Sequence, residues 1–293
     1  MGHLTNHVVI CNWNTQAQRV VETIHSELLA ADESKWKPVV VVAEGVEAFP
    51  DSPRYEDTLL VPGSPLNTRL LRRANVQDAH TVIIVADRAL ASPDDQTLQI
   101  ALSIRSILRS AERHVAHEPR VTAEVLDSKR APNFRKRALT GIHEVVCETD
   151  LSVRVLAQTN LSPGLTYLLS DVLEFDRNEN DIYMIPIPAD WQYTGKRIHR
   201  FSELVRYVGQ RTFDANGYRP ALLLGLHRVS GNRDDLMLVN PPRSRLAEFG
   251  PLREGDALVL LARTPEHAEN AIRSVASTES PEASERTARA AAS

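Results

Sequence analysis

His7-Val8-Val9-Ile10-Cys11-Asn12-Trp13-Asn14 is a short run of apolar, mostly β-branched residues that stops on a polar turn. Such a run, bounded by turn residues, predicts a buried strand. A helical pattern follows at once, with Ala17, Val20, Val21, Ile24, Leu28 and Leu29 on one face. The alternation then repeats. Apolar runs at Val39–Ala43, Thr58–Val61, Thr81–Ala86, Pro119–Val125 and Glu144–Cys147 predict further strands. Pro65–Ala74, Ser92 to about Leu108, and Asn133–Leu139 predict helices between them. Ser92-Pro93-Asp94-Asp95 is a helix start, with proline near the first position and acids in the first turn. Six strands alternating with helices, most of them continuously apolar, imply a parallel sheet covered on both faces. Right-handed crossovers make it an α/β, doubly wound, Rossmann-like sheet.

The texture changes after Cys147. Leu151, Val155, Leu156, Leu161, Leu165, Leu168, Leu169 and Val172 give one long helical pattern, interrupted by Pro163-Gly164. Proline inside a helix kinks or breaks it. This segment adds no strand and reads as a crossover helix with an apolar face to bury elsewhere. Asp176 to Asp181 reads as a linker. Ile182–Ile187, Pro220–His227, Leu236–Val239 and Ala257–Ala262 then predict four strands with one sizeable helix, Phe201–Val208. That is a small α+β domain. From Thr278 the sequence is Ser, Ala, Glu and Arg without apolar periodicity, which predicts disorder. The expected organisation is an N-terminal domain at residues 1–148, crossover and linker at 149–180, the small domain at 181–263, and a helical remnant with a disordered tail at 264–293.

Composition narrows the classes. Net charge is −4, so no basic field points to nucleic acid. No apolar run approaches the ~20 residues that span a bilayer, and Met1 to Asn6 lacks the apolar core of a signal peptide. A cytoplasmic location is expected, with any membrane role exercised through a partner. Cys11 and Cys147 lie far apart in apolar runs and read as buried, reduced thiols. The ten histidines show no zinc-type pair on one helix face.

In a doubly wound sheet a ligand crevice opens at the carboxyl ends of the strands, where the strand order reverses. Asn12, Trp13, Asn14, Glu44, Gly63, Ser64, Asp87 and Glu124 are the residues expected to line it. The glycine fingerprint of dinucleotide sites is altered, with Asn12, Asn14 and Ala17 at its three positions. Asparagine adopts left-handed conformations, so the turn can form, but a side chain at Asn14 narrows the approach to phosphate. Glu44 ends the second strand, where an acid contacts ribose hydroxyls or simply closes the strand. Trp13 either stacks on a purine or caps the core. Glu44, Asp87, Asp94, Asp95, Glu124 and Asp127 are hard oxygen donors near the same strand ends. Asp94 and Asp95 also serve as acids in a helix first turn.

Three segments carry a resemblance to a known family: His7 to Trp13; Gly63-Ser64-Pro65, Leu70 to Val76 and Ala79 to Asp87; and Ile185 to Pro188, Asn240-Pro241-Pro242 and Leu252 to Val259. In order and spacing they resemble the regulator of potassium conductance (RCK) domains of ligand-gated potassium channels and the regulatory subunits of Trk and Ktr potassium-uptake systems, over residues 7–263. The resemblance implies a cytosolic ligand-sensing module at the inner face of the plasma membrane that controls potassium transport. It implies a homodimer or higher ring beneath a membrane pore or transporter subunit. The ligands it implies are NAD or an adenosine nucleotide, or calcium or another divalent cation. Calcium-gated relatives place a carboxylate at the position of Glu124 and another two residues on, where this chain has Leu126.

The chain is read as a non-enzyme. The rival reading, a nicotinamide-dependent oxidoreductase, needs an acid or base beside the nicotinamide, and no Ser–Lys, Tyr–Lys or His–Asp constellation stands out; Arg243 and Arg245 offer only an anion contact. A structural ring module with an empty cleft is the other alternative.

Overall fold

The computed structural model describes residues 4–26, 36–110, 118–173, 180–211, 221–228 and 236–272. The expected helical positions Leu28 and Leu29, most of the Asp176–Asp181 linker and the tail from Thr278 lie outside them. The described residues up to Ser170 form one compact unit and those from Asp171 a second.

The first unit is built on a six-stranded parallel sheet: β1 (Val8–Cys11), β2 (Val39–Ala43), β3 (Thr58–Pro62), β4 (Thr81–Ile84), β5 (Arg120–Glu124) and β6 (Glu144–Val146), in the order β3-β2-β1-β4-β5-β6. β1 sits between β2 and β4, with Val8 level with both Val39 and Thr81. The all-apolar sequences of β1 and β2 follow from burial on both faces. Val9, Cys11, Val40, Val42, Val82 and Ile84 face one core with Ile100, Ile104 and Ile107 of the long helix Pro93–Ser110. Val8, Ile10, Val39 and Val41 face the other with Ala17 and Val21 of the helix Thr15–Ile24. Each such aliphatic side chain contributes about 1.5–3 kcal/mol on burial.

In chain order the helices of this unit are α1 (Thr15–Ile24), α2 (Thr68–Arg73), α3 (Pro93–Ser110), α4 (Ala131–Phe134), α5 (Arg137–Thr140), α6 (Glu148–Leu161) and α7 (Leu165–Leu173), the last continuing into the second unit. Two expectations are corrected. The helix expected from Pro65 begins only at Thr68, because Asn67 accepts the Arg69 N–H and sets the cap there. The helix expected over Asn133–Leu139 is two single turns, α4 and α5, parted at Lys136. The break at Pro163-Gly164 is present: α6 ends at Leu161 and Gly164 is left-handed at φ 92°.

The second unit carries an antiparallel sheet, β7 (Asp181–Pro186), β8 (Ala221–Arg228), β9 (Leu236–Val239) and β10 (Ala257–Ala262), ordered β7-β10-β8-β9. The helix α8 (Phe201–Arg211) covers one face through Phe201, Leu204 and Val208. Two short helices join it, α9 (Arg243–Phe249) and α10 (Pro265–Glu269), the second within the expected helical remnant. Pro241-Pro242 is the lead-in to α9, with Pro242 at its N-cap. Arg228 grips Asp256 through Nε at 2.7 Å and Nη2 at 2.6 Å and donates to the Pro251 carbonyl. The pair is 12% and 4% exposed, so it holds the α9–β10 loop from within. Among the described residues no helix is long and apolar enough to cross a membrane. Both cysteines are buried and free, and burial pushes the Cys11 thiol up to about 12.

His7, immediately before β1, is buried and its Nε2 meets the Ala74 carbonyl at 2.9 Å. Desolvation holds its pKa below the ordinary 6.5. The unfolded chain then takes up this proton at a higher pH than the native chain. Stability therefore falls as pH drops through 6.5 toward the lowered native value. The Tm of His7→Gln, which keeps a donor for Ala74, is expected to fall less steeply over that range than that of the wild type; equal slopes would show that His7 does not titrate in this way.

Candidate ligand cleft

The cleft lies where β1 is flanked by β2 on one side and β4 on the other, the point at which the strand order reverses. Asn12 closes β1 with a left-handed backbone, φ 72°. Its N–H donates to the Val42 carbonyl at 3.0 Å, and its side-chain Nδ2 donates to the Val85 carbonyl at 2.8 Å and to Gln96 Oε1 at 3.1 Å. One residue thus joins the ends of β1, β2 and β4 to the first turn of α3.

Asn14 is the N-cap of α1. Its Oδ1 accepts the N–H groups of Gln16 and Ala17, both at 3.0 Å, and its Nδ2 donates to the Ala86 carbonyl at 3.0 Å. Helix N-terminal N–H groups are the usual seat of a phosphate. Here the protein's own amide already receives two of them.

Asn12, Trp13, Asn14, Ala43, Glu44, Pro65, Asp87 and Gln96 line a cleft of about 50 Å³. This space is small beside the ~300–1,000 Å³ of sites for drug-sized ligands. Among the expected residues, the structure brings Asn12, Trp13, Asn14, Glu44 and Asp87 together. Glu44 is exposed just past β2. Asp87 accepts the Ala89 N–H at 3.1 Å in the turn after β4. Trp13 packs edge-on against Phe49, centroids 4.9 Å apart, and against Tyr55 at 6.2 Å, so most of its ring serves the core. Gly63 and Ser64 form the turn after β3, next to Pro65. Gly63 needs to be glycine, since its φ is 127° and an added Cβ would lie 2.5 Å from Leu70 Cδ1.

Glu124 is engaged differently. One carboxylate oxygen accepts the Ala86 N–H at 3.0 Å and the other accepts Arg88 Nη2 at 2.8 Å. The same Nη2 bonds Glu148 in the first turn of α6, and Glu148 also receives Gln16 Nε2 at 2.9 Å. Both carboxylates raise the Arg88 pKa, Glu124 most. Asp94 is buried and accepts the N–H groups of Leu126 and Asp127 at 2.8 and 3.1 Å, which fixes the loop after β5. Asp95 pairs with Arg130.

Arg88, Gln96 and Glu148 are site residues that sequence reasoning missed. Gln96 carries a weak signal, its place in the first turns of the helix facing β1. Arg88 and Glu148 lie 60 positions apart, and only the fold joins them. Among the described residues no group of three or more His, Cys, Asp or Glu has a metal-holding arrangement.

Comparison with known proteins points the same way. Residues 3–135 match the family described as the calcium-activated potassium channel slowpoke-like RCK domain. Over that stretch this chain is similar to RCK domains. The calcium-gated potassium channel TvoK of Thermoplasma volcanium is 28% identical over 177 residues, 58% of this chain and 45% of TvoK. The probable ion channel POLLUX of Arabidopsis thaliana is 25% identical over 185 residues, 60% of this chain and 21% of that one. The chain therefore spans less than half the length of these relatives, and both are named as channels. In fold, the human SLO3 gating ring matches 91% of this chain and 46% of its own with a TM-score of 0.60 at 19% identity.

The residues at α1 do not fit a pyrophosphate as they stand, because the Asn14 side chain takes two of the N–H groups a phosphate would use. Asn14→Gly would free the Gln16 and Ala17 N–H groups while costing only a few tenths of a kcal/mol as a cap. It is expected to tighten adenosine diphosphate binding by about 1 kcal/mol, roughly fivefold, in titration calorimetry; unchanged affinity would show that the phosphate does not seat at α1.

Proposed function

We propose that this chain is a ligand-sensing regulatory module that controls a potassium channel or potassium transporter, acting from the cytosolic side on a membrane pore or transporter subunit that is either a separate chain or another part of a longer one. The carrying observation is the RCK match over residues 3–135, joined to a polar cleft at the strand ends of the matched region. The named relatives are channels, and the constellation an oxidoreductase needs is not among the cleft residues, whose carboxylates Glu44 and Asp87 are exposed or engaged in a turn. The observations favour sensing over catalysis.

The cleft chemistry favours an adenosine-type ligand held through its sugar over one held through its phosphates. Glu44 stands at the end of β2, where it can accept ribose hydroxyls. The phosphate side is closed by Asn14, and the lining has two carboxylates and no cation. NAD in full extent requires that Asn14 and Trp13 give way.

A regulatory module of this kind works as an assembly. Leu151, Leu156, Leu161, Tyr167 and Leu168 along α6 and α7 are 56–83% exposed in the single chain. So much apolar surface on consecutive helices marks an association surface, and we assign it to a homodimer at least, with larger rings when the pore partner is present. Light scattering of the full chain at micromolar concentration is expected to give a mass of two chains or more. Leu165→Asp and Leu168→Asp, which would bury an unpaired charge, are expected to weaken association at least tenfold. A one-chain mass for the wild type would contradict the reading.

A further inference from the structure

At Glu124, which does not line the cleft, a cation is already in place, and it is part of the chain. Glu124 ends β5, Glu148 opens α6, and the two carboxylates converge on one nitrogen, Nη2 of Arg88. The Glu124 side chain is 12% exposed, so its charge is largely withdrawn from water and needs a partner. The Ala86 N–H and the Arg88 guanidinium supply that partner from the segment that follows β4. Gln16 of α1 adds an amide donor to Glu148. The network thus gathers the ends of β4 and β5 and the first turns of α1 and α6 around one positive charge.

A divalent cation such as calcium takes six to eight oxygen ligands. At this place both Glu124 oxygens already receive N–H donors, whose positive ends face the position an ion would take. The position two residues on is Leu126, which brings no side-chain oxygen. The residues present do not fit a divalent ion while Arg88 is there.

We propose that Arg88 is the resident cation of this sheet domain: it excludes divalent cations from the Glu124–Glu148 pair and ties the first turn of the crossover helix α6 to the sheet without any ligand. A guanidinium suits the task because its fixed fork serves two carboxylates and it stays charged at every physiological pH. The inference goes beyond the regulatory reading and stands independently of it, because it concerns only the coupling of β4, β5 and α6.

The test is amide hydrogen exchange on the full chain, read at residues 152–155, whose N–H groups close the first turn of α6. It is run in metal-free buffer and again with millimolar calcium chloride. The wild type should be indifferent to calcium. Arg88→Ala should exchange roughly fivefold faster or more, the scale of losing a charge-assisted hydrogen bond at a half-exposed site. Calcium should restore its protection, because the two bare carboxylates then accept an ion, and Glu124→Gln added to Arg88→Ala should abolish that rescue. Arg88→Gln repeats the experiment should the alanine variant fail to fold. Arg88→Lys, which keeps the charge but cannot bridge both acids, should stay calcium-indifferent with a looser α6. The proposal is overturned if calcium protects the wild type and Glu124→Gln removes that protection. It is equally overturned if neither uncharged variant changes exchange at 152–155 or gains a calcium response.

Discussion

The amide of Asn12 is the fastening on which the sheet domain's working end depends. A left-handed residue at the end of β1 turns the chain sharply toward α1, and its side chain then crosses to the Val85 carbonyl and to Gln96. Buried polar groups hold only when paired, and Asn12 is 7% exposed with its donors used. The cleft floor, the entry angle of α1 and the first turns of α3 all follow from that one side chain. A glycine there would make the turn and keep the backbone bond to Val42, but supply neither of the side-chain bonds. The departure from the dinucleotide fingerprint is therefore a trade, in which side-chain fastening replaces open backbone.

The same trade is made at Asn14 and at Arg88. In each case a group that a ligand would supply in another protein of this fold is supplied by the chain. The Asn14 carbonyl oxygen takes the helix N–H groups that suit a phosphate. The Arg88 guanidinium takes the carboxylates that suit a cation. What stays open is the cleft beside Asn14, bordered by Glu44, Asp87 and Gln96. Selectivity here comes from what has been filled as much as from what faces the opening.

The architecture was legible because burial on both faces of a parallel sheet forces continuous apolar runs, as Val39–Ala43 shows, and because Asn12 and Pro163-Gly164 punctuate the chain with definite backbone meaning. Much of what carried the family resemblance proves to be structural. Asn75 is left-handed and reaches the Leu4 carbonyl. His7 binds Ala74, and Asp256 is the buried partner of Arg228. Helix limits were less legible: no periodicity distinguishes the turn at Pro65 from the cap at Asn67, and α9 is too short for its apolar face to show. The cleft was half legible. Residues at strand ends follow from topology, but the engagement of Glu124 depends on Arg88 and Glu148, which only the folded chain brings to it.

The central proposal is that this chain governs potassium movement through a membrane partner. Rubidium influx into the native cells, compared between cells lacking the chain and cells with it restored, tests that most directly. The account predicts an influx changed by the loss, returned by the wild-type chain, and not returned by a chain carrying Leu165→Asp and Leu168→Asp. An influx identical in all three, with the chain present at normal abundance where it is restored, would contradict it.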